Sequence, residues 1–434
     1  MRQTLFRLPY EIAGLTLFGA GWLLIAWSIF AAVLLIWLWR QHGWSSETKG
    51  YIPVLLVMGA VICFVLPRLE VPDQDLGLPI RGYGAFMLVG LVAGVATAVY
   101  RAKRQGFDPD LMMSLAFSMF VAGIIGARIF FIAQYWESFQ RATPAQTVFQ
   151  MIKFTEGGLV VYGSLAGALL AFVLFCRRQQ LSALVIGDII GPSMLLGLAI
   201  GRIGCLMNGC CYGEVCDGGP ICISFPRYSN PPQNSQLSPP YEHQLALGQL
   251  HGIRVAPDAS GTPMIAAVGE PGLAARAGVP VGTRIARLNG RDVATVADAQ
   301  MILAQFPTEL RVETPAGKRY TWSTAGFPNE SLPVQPTQIY SSVNAFLLFL
   351  TLWLFFPLRW KNGQVIFLTL GLYAISRFVL ELIRTDENGF WGTWLTISQW
   401  VSLVSILAVL ALGVVIHRQP RRAMEAAPPV GCRD

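Results

Sequence analysis

The sequence predicts an all-α polytopic membrane protein of about nine transmembrane helices, with a small α/β domain inserted into it. Three observations predict this class. Hydrophobic residues make up 53% of the 434 residues and charged residues 13%, and the mean hydropathy is +0.50. Apolar runs long enough to cross a bilayer recur along the chain. One long stretch, from Cys222 to Gln335, contains no such run and has the composition of a soluble domain.

The apolar runs define the predicted spans in order. They begin near Ile12, Tyr51, Gly84, Leu111, Gly157, Leu184, Tyr340, Val365 and Trp394. The first run is too long for a cleaved signal peptide and is not followed by a small-residue cleavage site, so we interpret it as a retained span. The second run is short, and the sixth contains Asp188 and Arg202.

Basic loops predict the orientation. Five basic segments each follow every second predicted span, so all of them lie on one side of the membrane: "RQHGWSSETK", "RAKRQG", "CRRQQ", "LRWKNG" and "HRQPRR". The positive-inside rule places that side in the cytoplasm. These loops also explain the net charge of +7. No basic tract with interleaved aromatic residues indicates nucleic-acid binding. One conflict remains, because this orientation puts Arg2 and Arg7 outside.

The spans and the insertion divide the chain into five segments. We expect residues 1–70 to hold two N-terminal transmembrane helices that precede the membrane core, and residues 71–222 to form the first part of that core. Residues 223–335 form an extracytoplasmic insertion. Residues 336–416 complete the core, and residues 417–434 form a cytoplasmic tail.

The insertion opens with the turn-rich linker "PRYSNPPQNSQLSPP" and continues as strand, short helix, strand, turn, strand and helix. From about residue 252 to 323 it resembles a PDZ domain of the protease-associated kind, on the segments "EPGLAARAG" and "GTRIARLNG". The resemblance implies a bound peptide or protein partner. The carboxylate-binding loop expected before the first strand is not clear, so the ligand stays open.

Five of the eight cysteines lie close together at the predicted outer end of the sixth span: Cys205, Cys210, Cys211, Cys216 and Cys222. Outside the cytoplasm a structural disulfide is the first hypothesis. Zinc is the second, but no nearby histidine completes the usual ligand spacing, so we predict no metal and no cofactor. We expect these cysteines to stabilise the outer end of the helix. Cys63 and Cys176 lie in or beside apolar runs, where cysteine is a common small apolar residue.

Ionisable residues inside apolar runs carry the functional hypothesis, because a charge inside a bilayer is costly. These are Arg128 in "GARIFF", Arg202 in "GRIG", and Arg377, Glu381 and Arg384 in "SRFVLELIRTD". The spacing of the last three predicts one shared helix face. Internal ion pairing or snorkelling explains any single arginine. Several arginines beside glycines favour a buried site for an anion, and the planar guanidinium matches a phosphate.

At these residues the sequence resembles the prolipoprotein diacylglyceryl transferase family. The matching segments occur in family order from about residue 81 to 402: "RGYGAFMLVG", "GARIFF", "EGGLVVYGSLAG", "GRIGCLMNGCCYG", "PPYEHQL", "PTQIYSS", "YAISRFVLELIRTD" and "ISQWVS". Each segment alone is weak, and their order makes the resemblance specific. It implies a bacterial inner-membrane enzyme that transfers the diacylglyceryl group of phosphatidylglycerol to the lipobox cysteine of prolipoproteins. A thioether forms and glycerol phosphate leaves.

The resemblance also implies roles for individual residues. Arg202 would bind the lipid phosphate, and Arg377 would stabilise charge on the leaving phosphate. Glu381 and Arg384 would hold Arg377 or line the exit path. The remaining candidates for the site are Tyr162 and Tyr83 for catalysis, and Asn208, Gly209, Tyr373 and Arg128 for substrate binding.

Three features depart from the family pattern. Tyr162 replaces a histidine considered as general base, and none of the four histidines lies within a predicted span. An unperturbed phenol titrates near pH ~10, so either the incoming thiol needs little help or Tyr162, Tyr83 or Glu381 assists. Cys205 and Cys210 stand where many members have Asn and Glu. The N-terminal spans and the insertion are additions to the minimal family plan.

Two other function classes stay open. A catalytically inactive scaffold with a peptide-binding PDZ domain would keep the fold and lose turnover. A transporter or flippase for an anionic solute would show internal repeats and broken paired helices, and the sequence shows no convincing repeat.

Overall fold

The computed structural model describes residues 3–9, 11–43, 46–65, 67, 78–140, 143–152, 160–216, 219, 221–230, 234–268, 273–324, 327–384, 389 and 392–418. This part of the chain is mostly helical, with small sheets near the N-terminus and in the insertion. Eight of its helices are long and apolar enough to cross a membrane. The predicted class of a multi-pass helical membrane protein is therefore confirmed.

The α-helices are α1 (Trp22–His42), α2 (Ser46–Ala60), α3 (Gly82–Arg104), α4 (Pro109–Gln134), α5 (Trp136–Phe139), α6 (Pro144–Ile152), α7 (Val161–Arg178), α8 (Ala183–Asn208), α9 (Pro239–Ala246), α10 (Leu273–Arg276), α11 (Val296–Leu303), α12 (Thr337–Phe355), α13 (Gln364–Glu381) and α14 (Ile397–His417). A π-helical turn, Val61–Val65, follows α2, and a 3₁₀ turn, Phe356–Leu358, follows α12.

The strands are β1 (Thr4–Leu8), β2 (Glu11–Ile12), β3 (Leu15–Thr16), β4 (Leu78–Arg81), β5 (Tyr228–Asn230), β6 (Asn234–Leu237), β7 (Ile253–Pro257), β8 (Pro263–Val268), β9 (Arg287–Leu288), β10 (Arg291–Asp292), β11 (Glu309–Glu313) and β12 (Arg319–Ser323).

Two predicted spans differ from the observed helices. The first was expected near Ile12, but β2 and β3 pair as a hairpin there and α1 begins at Trp22. Hydropathy extended the prediction because this hairpin is itself apolar. The second corresponds to α2, which has Pro53 inside it and falls below the length of a full span. The predicted start at Gly157, the boundary at residue 71 and most of the tail 417–434 lie outside the described residues.

The chain divides into two compact units, residues 2–85 and residues 86–434. In the first unit β1 pairs antiparallel with β4, directly before α3, and Gly82 N–H donates to the carbonyl of Gln3 at 2.7 Å. The start of the chain and the start of α3 therefore lie side by side.

The second unit is organised around α8. In the most apolar 18-residue stretch of α8, half of the residues are buried, whereas at most 22% are buried in the corresponding stretch of any other candidate span. Helix α8 packs against α12 and α13, while α4 packs against α7 and α13 against α14. Glycine permits the closest of these contacts, since a Cβ at Gly126 of α4 would collide with the carbonyl of Gly163 of α7. Small residues at such crossings are typical of membrane helices.

Asp188, a charge noted in the sixth predicted span, has a structural partner set. Its carboxylate is fully buried and accepts from the backbone N–H groups of Gly363 at 2.8 Å and Ile366 at 2.9 Å, at the start of α13. The guanidinium of Arg359 lies 3.6 Å away. A helix N-terminus with its free N–H groups favours such a carboxylate. Asp188 thus ties α13 to α8 and is distinct from the arginines of the candidate site.

The insertion has a separate hydrophobic core. β7 pairs with β8, and β9, β10, β11 and β12 form one antiparallel sheet in the order β10-β9-β11-β12. Fifteen buried residues form this core, among them Ile265, Leu288, Leu310 and Trp322. Asn289 and Gly290, both at positive φ, form the turn between β9 and β10. The predicted order of strands and helices in the insertion agrees with this arrangement.

The two linkers of the insertion run beside each other. Bridges join Val215 and Ile223 to Val334, and Pro226 to Glu330. A small apolar cluster of Tyr212, Phe225 and Val334 closes this region. The insertion therefore begins and ends directly at the junction of α8 and α12.

His251 provides a pH test of the insertion. It is almost fully buried, its Nε2 donates to the carbonyl of Leu245 at 2.9 Å, and burial lowers its pKa to about 4. The unfolded chain, with a histidine pKa near ~6.5, binds the proton more readily. Stability is therefore fully present above pH ~6.5 and falls as the pH drops towards 4, by about 2 kcal/mol at pH 5.

We expect hydrogen exchange of insertion peptides in the full chain, corrected for intrinsic rates, to report this loss between pH 7.5 and pH 5. The variant His251→Gln, which does not titrate, should lose less. An equal loss in both proteins would contradict the assignment to His251.

Candidate active site

Arg202 is a half-buried cation on α8, two turns before the helix ends. It lies close enough to Tyr373, Cys205, Cys211 and Arg384 for electrostatic interaction. Among the residues that the structure describes, no carboxylate forms an ion pair with it. An arginine held inside a helical bundle without a carboxylate is available for an external anion.

Glu381 is the carboxylate of this region and serves two arginines. Its Oε2 forms ion pairs with Arg377 and, at 3.3 Å, with Arg384. Its Oε1 accepts a hydrogen bond from the hydroxyl of Thr396 at 3.1 Å. The Glu381 side chain is fully buried, and those of Arg377 and Arg384 are 15% and 6% exposed. The internal ion pairing considered from the sequence is therefore present.

Ser398, on α14, connects Arg377 of α13 to Tyr162 of α7. Nη2 of Arg377 donates to the Ser398 hydroxyl at 2.9 Å, and the hydroxyl of Tyr162 lies 3.4 Å from the same oxygen. Ser398 is the second residue of α14, whose start is fixed by a capping box between Thr396 and Gln399. The first turn of α14 thus places two hydroxyls against the Arg377–Glu381 pair.

Sequence reasoning did not assign a role to Thr396 or Ser398. The available signal was the segment "TISQWVS", which combines a capping box with two serines at the start of an apolar run. Hydroxyls are common at helix starts, so the signal did not separate a cap from a site.

Arg384 lies on a different element from the one that the sequence predicted. The spacing predicted one helix face for Arg377, Glu381 and Arg384, but α13 ends at Glu381. Arg384 lies beyond the helix, where its backbone bridges to Gly213. The prediction of a shared helix face was wrong, because the linker of the insertion captures the backbone after Glu381. The ion pair with Glu381 forms nevertheless.

Of the three arginines Arg202, Arg377 and Arg384, Arg202 is the one that pairs with no carboxylate among the described residues. Arg377 and Arg384 share Glu381, and Arg202 lies close enough to Arg384 for electrostatic interaction. A cation inside an apolar bundle is unfavourable unless an anion is paired with it. A phosphate group fits this position, because the planar guanidinium offers N–H donors that match two of its oxygens.

Comparison with known proteins identifies the family of this chain. The family model of the prolipoprotein diacylglyceryl transferases matches residues 74–415. The chain belongs to this family. A phosphatidylglycerol–prolipoprotein diacylglyceryl transferase of Rhodopirellula baltica is 34% identical over 99% of this chain and 92% of its own length. The corresponding protein of Clostridium tetani is 24% identical over 76% of this chain and 91% of its own length.

The first of these relatives aligns along nearly the whole chain, including the N-terminal helices and the insertion, whereas the family model begins at residue 74. The sequence-derived membership in the transferase family is confirmed.

Arg128 lies in a different environment from the other arginines. Its Nε donates to the carbonyl of Met151 at 2.8 Å and its Nη2 to that of Gln150 at 3.0 Å, at the end of α6. The ring of Phe139 lies 5.3 Å from its guanidinium carbon. A cation is favoured at a helix C-terminus. These contacts give Arg128 a structural role in this transferase-family chain, and its predicted contact with lipid stays a prediction.

The other predicted residues occupy distinct positions. Tyr373 lies one turn before Arg377 on α13 and near Arg202. Asn208 ends α8, and Gly209 is its C-cap at φ 75°, where a side chain would also approach the ring of Phe225. The left-handed conformation at the end of α8 is by itself a reason for glycine at this position. Tyr83 belongs to the unit of residues 2–85 and is 41% exposed.

The cysteines at the end of α8 fall into two groups. Cys216 and Cys222 form a disulfide, which confirms the expected structural crosslink and identifies its partners. Cys205, Cys210 and Cys211 are free. The pKa of Cys211 is lowered by hydrogen bonds from the thiols of Cys205 and Cys210, and then by the positive charges of Arg384 and Arg202.

Removal of the shared carboxylate tests the charge balance. We expect Glu381→Gln to lower the free energy of unfolding by roughly 3–5 kcal/mol, because the two buried guanidinium groups then lose the carboxylate that they share. Thermal unfolding of the detergent-solubilised protein measures the change. The matched control is Glu309→Gln, which breaks an exposed pair with Arg311 and should cost at most about 1 kcal/mol. Equal effects of the two substitutions would contradict a buried, shared carboxylate.

Proposed function

We propose that this protein transfers the diacylglyceryl group of phosphatidylglycerol to the lipobox cysteine of prolipoproteins. The cysteine sulfur forms a bond to the glyceryl carbon that carries the phosphate. The carbon–oxygen bond to the phosphate breaks, and glycerol phosphate leaves with the bonding electrons. The thiol proton passes to a base. The products are a thioether and glycerol phosphate, and the reaction requires neither metal nor redox cofactor.

The observation that carries this proposal is Arg202, a half-buried cation that pairs with no carboxylate among the described residues. Phosphatidylglycerol brings a phosphodiester with one negative charge, and glycerol phosphate leaves as a monoester that carries close to two. Arg202, close to the Arg377–Glu381–Arg384 group, supplies positive charge where negative charge develops as the bond breaks. Groups aimed at developing charge lower the barrier more than groups that bind both states equally.

Each arginine has a separate part in this proposal. Arg202 holds the phosphate of the bound lipid, with Tyr373 of α13 near it. Arg377 contacts the oxygen that becomes the leaving group. Glu381 fixes Arg377 in that orientation, and its second ion pair holds Arg384 on the outer side, where glycerol phosphate leaves. Glu381 is a positioning residue in this scheme, because both its oxygens already have partners.

Tyr162 is the proposed relay for the thiol proton. Its hydroxyl lies beside Ser398, which in turn accepts from Arg377. The Tyr162 oxygen takes up the thiol proton while the phenolic proton passes through the Ser398 hydroxyl to water. His417 lies at the end of α14 opposite to Ser398, so it does not lie beside this group, and His42 is the final residue of α1, in the separate unit of residues 2–85.

We place the site at the outer leaflet of the bacterial cytoplasmic membrane, with the insertion outside the cytoplasm. The basic loops after α3, α7 and α12 support this orientation. The disulfide at the base of the insertion supports it too, because disulfides persist in oxidising compartments.

We also propose that residues of about 252–323 form a PDZ-like domain that contacts a peptide, such as the prolipoprotein substrate. The order of strands and helices and the Asn289–Gly290 turn support the likeness. The amide of Gly252, before β7, already donates to Gly248 at 2.7 Å. This loop is thus less open to a C-terminal carboxylate, and the edge of β7 is the favoured contact.

The Arg202→Ala variant tests the phosphate role. We expect turnover of phosphatidylglycerol with a lipobox peptide to fall about 10²–10³-fold, the effect of losing one preorganised donor. Arg202→Lys should recover little, because an ammonium lacks the planar fork. The control Arg287→Ala changes an exposed arginine of the insertion. Unchanged turnover in Arg202→Ala would overturn its role, and peptide capture by wild type without any turnover would identify the inactive scaffold.

The Tyr162→Phe variant tests the proton acceptor. We expect kcat to fall by about 10²-fold or more, the range of a lost general base, with KM for the lipid unchanged. Tyr100→Phe, in the last turns of α3, is the matched control. A kcat within threefold of wild type would show that the thiol needs no base from Tyr162.

A further inference from the structure

The three free thiols beside Arg202 form a compact cluster, which we call the thiol cluster: Cys205, Cys210 and Cys211. Their sulfur atoms all lie within 4.8 Å of one another. Cys205 is on the last turn of α8, and the turn at Gly209 brings Cys210 and Cys211 back over it. Sequence spacing alone does not reveal this, since the grouping depends on the left-handed conformations of Gly209 and Cys211, at φ 75° and 61°.

The backbone of the thiol cluster is held by the start of α12. The amide group of Gln338 donates to the carbonyl of Cys210 at 2.7 Å, and the hydroxyl of Thr337 donates to that of Cys211. Both donors are 1% exposed. The backbone of Cys210 and Cys211 is thereby held by bonds that do not involve the sulfurs. A preformed arrangement of ligands reduces the ordering cost of binding.

We propose that the thiol cluster binds one thiophilic metal ion of the d¹⁰ class, Zn(II) or Cu(I). A bond length of about 2.3 Å from metal to thiolate places ligand sulfurs about 3.8 Å apart, which side-chain rotation reaches from the observed spacing. No histidine or carboxylate joins the three sulfurs within the described chain. A set of thiolates alone selects soft cations over magnesium or calcium.

The surrounding charges support a bound thiolate complex. Three thiolates around Zn(II) carry one net negative charge, and Arg202 and Arg384 both interact electrostatically with Cys211. The complex would therefore attract Arg202, the arginine that we assign to the lipid phosphate. From this we infer that the bound metal lowers transferase turnover, a consequence that rests on the proposed function, whereas the metal site itself does not.

The site is tested by metal titration of the full, detergent-solubilised chain under anaerobic conditions. Zn(II) and Cu(I) are added in competition with a chelator, and bound metal is measured by elemental analysis. The expected result is one ion per chain in wild type, and loss of at least tenfold in affinity in each of Cys205→Ser, Cys210→Ser and Cys211→Ser. Cys63→Ser is the matched control and should bind as wild type does.

Two further arms keep the proposal falsifiable. The variant Cys216→Ser/Cys222→Ser removes the disulfide cysteines and should still bind one ion. Thermal unfolding of the single variants without metal checks that they remain folded. Binding that persists in Cys211→Ser, or a disulfide between two members of the thiol cluster found by mass spectrometry of native membranes, would overturn the site.

The effect on turnover is measured separately. Wild type loaded with Zn(II) should turn over phosphatidylglycerol more slowly than chelator-treated wild type, and Cys210→Ser should be insensitive to Zn(II). Metal binding without a change in turnover would keep the site and overturn its effect on Arg202. Metal binding in a chain without any transferase activity would separate the site from the proposed function.

Discussion

The buried carboxylate of Glu381 is the interaction on which the candidate site depends. Charged groups inside an apolar bundle are tolerated when they are paired. Glu381 pairs with Arg377 and Arg384 and also accepts from Thr396, so one side chain joins α13, the segment that follows it and the start of α14. Asp188 has the same function at the other end of α13, where it caps the helix and faces Arg359. Both acidic groups serve the architecture, and neither forms an ion pair with Arg202.

The insertion is attached at the place where the chemistry is proposed. Its two linkers leave α8 and enter α12, and they bridge to each other and to the backbone of Arg384. The disulfide between Cys216 and Cys222 lies in the first linker. A displacement of the insertion would therefore act on the backbone that carries Arg384. The insertion is therefore connected to the candidate site through the backbone bridge between Gly213 and Arg384.

Much of the site was predictable from the sequence because intramembrane charges are rare. Arg202, Arg377, Glu381 and Arg384 were identified by charge alone, and the structure brings them together. Arg128 was identified by the same rule, yet it binds the end of α6. Charge in a span indicates a polar contact but does not specify the partner. The partner depends on packing, which hydropathy does not report.

Local hydrogen bonding set the remaining limits of prediction. Thr396 and Ser398 are ordinary helix-start residues in sequence, and their value comes from the packing of α14 against α13. The end of α13 was misplaced because backbone pairing with Gly213 competes with the helix after Glu381. That competition decides where Arg384 lies. A continued helix would carry Arg384 along one rigid face with Arg377, whereas the observed bend ties the backbone of Arg384 to the linker and puts the two arginines on different elements.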